Sequence, residues 1–221
     1  MKCLLLNLLT LLKLLTDMFL TVIKDCLWPY FCKGCDVEGE WWCGNCRGPV
    51  AVFSFESELD RATAFFKYKD DSPVSTLIKE FKFQFTTDLE GLWREIVAEA
   101  DLTIANDFEV VPVPLFKKRQ RERGFNQAEI LGRIVAERFN LKINCDGLVR
   151  VRATGQQAKL SKAERAENMR EAFAWKSETG APKKVILVDD VYTSGATMRE
   201  CAAVLKERGA EVVEGLVLAH G

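Results

Sequence analysis

The segment KKVILVDDVYTSGATMREC (183–201) restricts the fold of this chain more than any other. Its first part, KKVILVDD (183–190), is a nearly continuous apolar run, which is what a central strand of a parallel sheet needs when both of its faces are covered. Asp189 and Asp190 end the run, and a short loop, Val191 to Ala196, leads into a helix read over 196–209. The remaining segments alternate in the same manner. VAVFSF (50–55) and RATAFFKY (61–68) read as a strand pair, STLIKEFKFQF and LEGLWREIVAEA as helices, and FEVVPVP (108–114) as a strand ending on prolines. NQAEILGRIVAERF (126–139) reads as an amphipathic helix and AEVVEGLVLA (210–219) as the strand that follows 196–209. The expected fold class is α/β, a doubly wound parallel sheet.

In open sheets of this kind ligands sit at the carboxyl ends of the strands. Thr193, Ser194, Gly195 and Thr197 offer hydroxyls and, with Val191 and Ala196, free backbone N–H groups at a helix N-terminus. Unpaired amides and the helix dipole both attract a phosphate there. Asp189 and Asp190, just before the loop, can accept hydrogen bonds from vicinal hydroxyls, so a ribose 5-phosphate suits the combination. The plainer alternative is two acids ending a strand, with Thr193 or Ser194 capping the helix. A Walker-type loop is excluded, because the chain contains no GxxxxGK[ST].

A second pattern stands ahead of the α/β region. Cys32, Cys35, Cys43 and Cys46 form two Cys-x2-Cys pairs separated by seven residues. Two such knuckles facing one another give four-sulfur tetrahedral coordination, which fits structural zinc; an iron–sulfur site or a redox pair is the alternative. Gly34 and Gly44 fall inside the pairs, where a permissive backbone is expected. The segment is too small and glycine-rich to fold by burial alone, so metal binding would stabilise it. Tyr30, Phe31, Trp41 and Trp42 read as its small core, or else as a base-stacking platform. Cys3, Cys26, Cys145 and Cys201 are scattered, unlike a secreted disulfide framework, so a reducing, cytoplasmic setting is expected.

Residues 1–25 are leucine-rich, but Asn7, Thr10, Lys13, Asp17 and Lys24 recur at roughly helical spacing. That favours an amphipathic helix packing on protein, ahead of one lying at the inner face of a membrane or of a true span or signal. Three regions result: 1–25, the cysteine module 26–49, and the α/β domain 50–221, with its core from about 106 to 221.

Several stretches together resemble one family. VILVDDVYTSGAT resembles the phosphoribosyl-pyrophosphate signature of type I phosphoribosyltransferases. VPVPLFKKRQRERGFNQAEILG (111–132), RVRATGQQAKLSKAERAENMREAF (150–173) and FFKYKD (65–70) are similar to segments of the ComF family, competence-associated proteins with a four-cysteine module ahead of a phosphoribosyltransferase-like domain. The resemblance runs from residue 26 to 219, with Ser194 standing where threonine is usual. It implies that Asp189 and Asp190 hold ribose hydroxyls and that Val191 to Thr197 hold the 5-phosphate, with Mg2+ accompanying phosphoribosyl pyrophosphate. It also implies a flexible loop near 152–168 closing over the reacting centre, with Gln157, Arg165 and Asn168 as contacts; an ordinary surface loop is the competing reading. A role in handling incoming single-stranded DNA, or in nucleotide metabolism, follows from the same resemblance, with residues 1–25 as a docking helix for a helicase or uptake complex.

Charge sharpens the choice. The net charge is -1, yet residues 116–170 hold fourteen Lys and Arg against six Asp and Glu. Lys117, Lys118, Arg119, Arg121 and Arg123 could neutralise a departing pyrophosphate, with Lys117 and Arg165 acting at the reacting centre and Lys118 and Arg123 holding the ligand. The alternative is a nucleic-acid backbone gripped by this segment and the module. His220 is the single histidine, which excludes a central His base and a multi-His metal site.

Overall fold

A computed structural model describes residues 29–83, 88–152 and 172–221. The chain divides into two compact units, Met1–Gly48 and Pro49–Gly221. The helix expected over 1–25 and the loop contacts Gln157, Arg165 and Asn168 fall outside the described residues.

In the first unit the Cys32–Asp36 turn closes through the Asp36 N–H to the Cys32 carbonyl (2.9 Å), and a one-turn helix, α1 (Gly44–Arg47), follows the second pair. Trp42 is buried and Tyr30 stacks on Trp41 with ring centroids 4.9 Å apart. Phe31 departs from expectation: it is 41% exposed, at an isolated antiparallel bridge to Glu38.

The second unit runs β1 (Phe53–Phe55), β2 (Arg61–Lys67), α2 (Pro73–Phe83), α3 (Asp88–Glu99), β3 (Glu109–Pro112), α4 (Lys117–Arg123) and α5 (Gln127–Phe139). It continues with β4 (Lys142–Ile143), β5 (Leu148–Arg150), β6 (Phe173–Trp175), β7 (Lys184–Tyr192), α6 (Ala196–Glu207) and β8 (Val212–His220). Six strands pair in the order β1-β2-β8-β7-β3-β4. β1 is antiparallel to β2, and every other neighbouring pair in that sheet is parallel. β5 and β6 form a separate antiparallel pair.

Strand alternation sends successive residues of β7 to opposite faces. Val185 and Leu187 join Val213 and Val217 of β8 against Cys201, Ala202 and Leu205 of α6. On the other face Phe65, Val188, Leu216 and Leu218 meet Val97 of α3 and Leu131 and Val135 of α5. Both faces are covered, as the unbroken apolar run requires, and each such Val or Leu contributes about 1.5–3 kcal/mol on burial. β7 runs two residues past its expected end, because Val191 and Tyr192 still pair with Ala219 and His220. α5 starts where the sequence places it. The Asn126 side chain accepts from the Ala128 N–H (3.1 Å) and donates to the Val113 carbonyl (3.1 Å), tying the helix to the chain leaving β3.

Candidate functional site

The loop after β7 is shaped by one glycine. Gly195 caps α6 with φ of 71°, a conformation that costs other residues dearly, and a Cβ there would lie 2.2 Å from the Tyr192 hydroxyl oxygen. Among the described residues no side chain caps this helix start, which leaves the N–H groups of Ala196, Thr197 and Met198 to an anion. Asp189, Val191, Thr193, Ser194, Gly195 and Thr197 line one hollow with them. The structure thus brings the sequence-derived loop residues together with Asp189.

Asp190 is placed otherwise. It projects to the α5 face, is 4% exposed, and its Oδ2 accepts from Lys82 Nζ (3.1 Å) and Gln127 Nε2 (3.0 Å). The Asp190 backbone N–H donates to Asp189 Oδ1 (2.8 Å). Burial, reinforced by the Asp190 charge, pushes the Asp189 carboxyl up to about 7; that N–H, Lys82 and Arg150 act in the opposite direction.

Cations surround the pair. Burial, then Arg119, pushes the Arg123 guanidinium below its ordinary value, while Asp190 and Asp189 pull it back. Arg150 is lowered by burial and by Arg119, raised by Cys201 and Asp189, and lies over the Phe173 ring at 5.4 Å. Lys117 and Lys118 are exposed on α4, where Lys118 reaches Glu122 at 4.0 Å and Lys117 lines a cavity of about 510 Å³ with Arg150 and Lys176. Lys82, Gln127 and Arg150 escape a reading by motif. Each meets the acids only through tertiary packing, and only the local charge excess hints at Arg150.

The four thiols of the first unit form the other candidate site. Their sulfurs all lie within 4.8 Å of one another, with Cys32–Cys43 at 3.6 Å and Cys35–Cys43 at 3.7 Å. A tetrahedral zinc with bonds of about 2.3 Å separates its sulfurs by about 3.8 Å, so the residues fit the ion. The Gly34 and Cys43 N–H groups both donate to Cys32 Sγ at 3.4 Å. Burial raises the Cys32 thiol, yet backbone donors including Cys43 and Gly34 bring it down to about 6; sharing with Cys35 and Cys43 pushes Cys46 up to about 12. Gly34 is needed for space, since a Cβ would sit 2.8 Å from that of Cys46. Gly44 is not, having open room and no positive φ, which corrects the expectation of a permissive backbone there.

Residues 126–221 match the phosphoribosyl transferase domain. Competence protein F of Haemophilus influenzae is 33% identical over 196 residues, 83% of this chain and 82% of that protein. Competence protein ComFC of Bacillus subtilis is 28% identical over 185 residues, covering 80% and 67% of the two chains. The DNA utilization protein YhgH of Salmonella typhi is 31% identical over 148 residues, covering 64% and 65%. The mostly parallel sheet is that of a type I phosphoribosyltransferase-like domain, with a four-cysteine cluster ahead of it.

Proposed function

This chain belongs to the ComF family of competence proteins, and from that membership we propose that it binds phosphoribosyl pyrophosphate at the β7–α6 loop in the service of DNA uptake. The observation carrying the reading is the hollow that joins Asp189 to the uncapped start of α6 at Gly195. The 5-phosphate takes the N–H groups of Ala196 and Thr197 and the hydroxyls of Thr193, Ser194 and Thr197. A ribose hydroxyl takes Asp189. Arg123 and Arg150, on which the Asp189 charge acts, would stabilise charge gathering on a leaving pyrophosphate, and the exposed Lys117 and Lys118 would extend that field outward. Displacement at the anomeric carbon needs positioning and charge stabilisation more than a dedicated nucleophile. Mg2+ would supply charge neutralisation for the diphosphate; Asp189 lines the hollow and would be available to it, whereas Asp190 is already engaged by Lys82.

A second reading is favoured by α4, which buries none of its seven residues and presents Lys117, Lys118, Arg119 and Arg121 to solvent. Single-stranded DNA would suit it, with residues 1–25 as the segment that would engage uptake machinery. Calorimetric titration of the zinc-loaded protein with phosphoribosyl pyrophosphate and Mg2+ separates the two. Binding that disappears in the Asp189→Asn/Asp190→Asn variant supports the first reading. Absence of binding by the unaltered protein, with single-stranded DNA binding that weakens steeply with salt, supports the second.

A further inference from the structure

The two adjacent acids do not share one environment. Asp189 lines the loop hollow; Asp190 is not among its lining residues and is almost wholly enclosed on the other face of the sheet. A carboxylate removed from water needs partners. Asp190 has two on a single oxygen: Lys82 from the last turn of α2, and Gln127 from the first turn of α5. Gln127 is itself buried, and its Oε1 has no hydrogen-bond partner. The amide therefore gives its nitrogen end to Asp190 while its oxygen stays unsatisfied, a loss to stability that buys only orientation.

We infer that Lys82 and Gln127 are positioning residues that pin Asp190, leaving Asp189 as the one acid of the pair that touches the ligand. This rests on the phosphoribosyl-pyrophosphate reading for the ligand's identity, but the pinning itself is a property of the free protein. The charged and titratable groups facing Asp189 are Asp190 on its own strand, Lys82 from α2, Arg150 from β5, Arg123 from α4 and the neutral Cys201 thiol from α6. Withdrawing Lys82 removes one cation from that set and frees the Asp190 side chain to turn.

The test has two arms. In the ligand-free protein, Asp189 is followed by carboxyl-carbon NMR with Asp-selective labelling, assigned with Asp189→Asn. Lys82→Met is expected to move its titration upward and Lys82→Arg to restore it. An unchanged titration in Lys82→Met overturns the inference. In the second arm, calorimetry with phosphoribosyl pyrophosphate and Mg2+ is expected to show Lys82→Met and Gln127→Leu weakening binding by at least ~10-fold, with the acidic limb displaced to higher pH. Lys82→Arg should bind nearly as the unaltered protein. Asp189→Asn should abolish binding outright, whereas Asp190→Asn should only weaken it; equal loss in both overturns the division between the acids. If the unaltered protein binds none, the ligand reading fails and the first arm alone decides the pinning. If Lys82→Met does not fold, Gln127→Leu and Lys82→Gln carry both arms.

Discussion

Asp189, the acid proposed to meet the ligand, costs stability as pH rises. Its carboxyl is raised to about 7 in the folded chain, first by burial and then by the Asp190 charge, while an ordinary aspartate titrates near 3.8. Between those values the folded state holds a proton that the unfolded chain releases. Stability is therefore fully present below about pH 4 and declines as pH rises toward 7. Asp189→Asn keeps the oxygen that accepts the Asp190 N–H and removes the charge. It is expected to raise the melting temperature at pH 8 by at least ~3 °C while losing ligand binding, with little gain at pH 4. Melting curves at both pH values check this, and equal melting at pH 8 refutes it. The loop residues from Asp189 to Thr197 were legible in the sequence because they are contiguous and their chemistry is local. Lys82, Gln127 and Arg150 were not, because a lysine over a hundred residues upstream carries no mark of its partner until α2 is packed.

Among the elements, α4 has the weakest grounds for being a helix. KKRQRER has no apolar period, Phe116 supplies no side-chain cap at its start, and seven residues fall below the length at which a helix holds itself in water. Five cations on two turns repel one another, against the single acid Glu122. An anion would relieve that repulsion, so we expect fast amide hydrogen exchange over 117–123 in the free protein. Pyrophosphate or phosphoribosyl pyrophosphate should slow it at least ~10-fold, with no such change in α5, which is capped at both ends. Undiminished exchange in saturating ligand counts against α4 as part of the site. The same lack of period hid α4 from the sequence, where only its charge could be read. β5 and β6 were missed for a different reason. Each is three residues long, and they pair across the intervening 153–171, so neither offers a periodic signal.

At the scale of the whole molecule, two units follow two rules. The sheet is held by apolar burial on both faces, and its class could be read from one strand, KKVILVDD. Among its described residues the cysteine unit buries little beyond Cys32, Trp42 and Cys43 and stacks Tyr30 on Trp41, so a metal held by the four thiols would stabilise it. One zinc per chain is expected by elemental analysis, and Cys32→Ser or Gly34→Ala should lose it together with the module's tryptophan fluorescence signature. Retention of one metal per chain in Cys32→Ser would show that the ligand set is wrong. What no periodicity could reveal is the strand order. β8 follows every other described strand in the chain, yet it sits between β2 and β7, hydrogen-bonded to both. A ribosome making this protein releases β2 about 150 residues before the strand that joins it to the centre of the sheet. Until then β2 and β7 each present an open edge lined with apolar side chains, the condition under which nascent chains associate with one another. The cell's exposure to misassembly is thus set by the time needed to translate from Arg61 to His220, not by the stability of the finished fold.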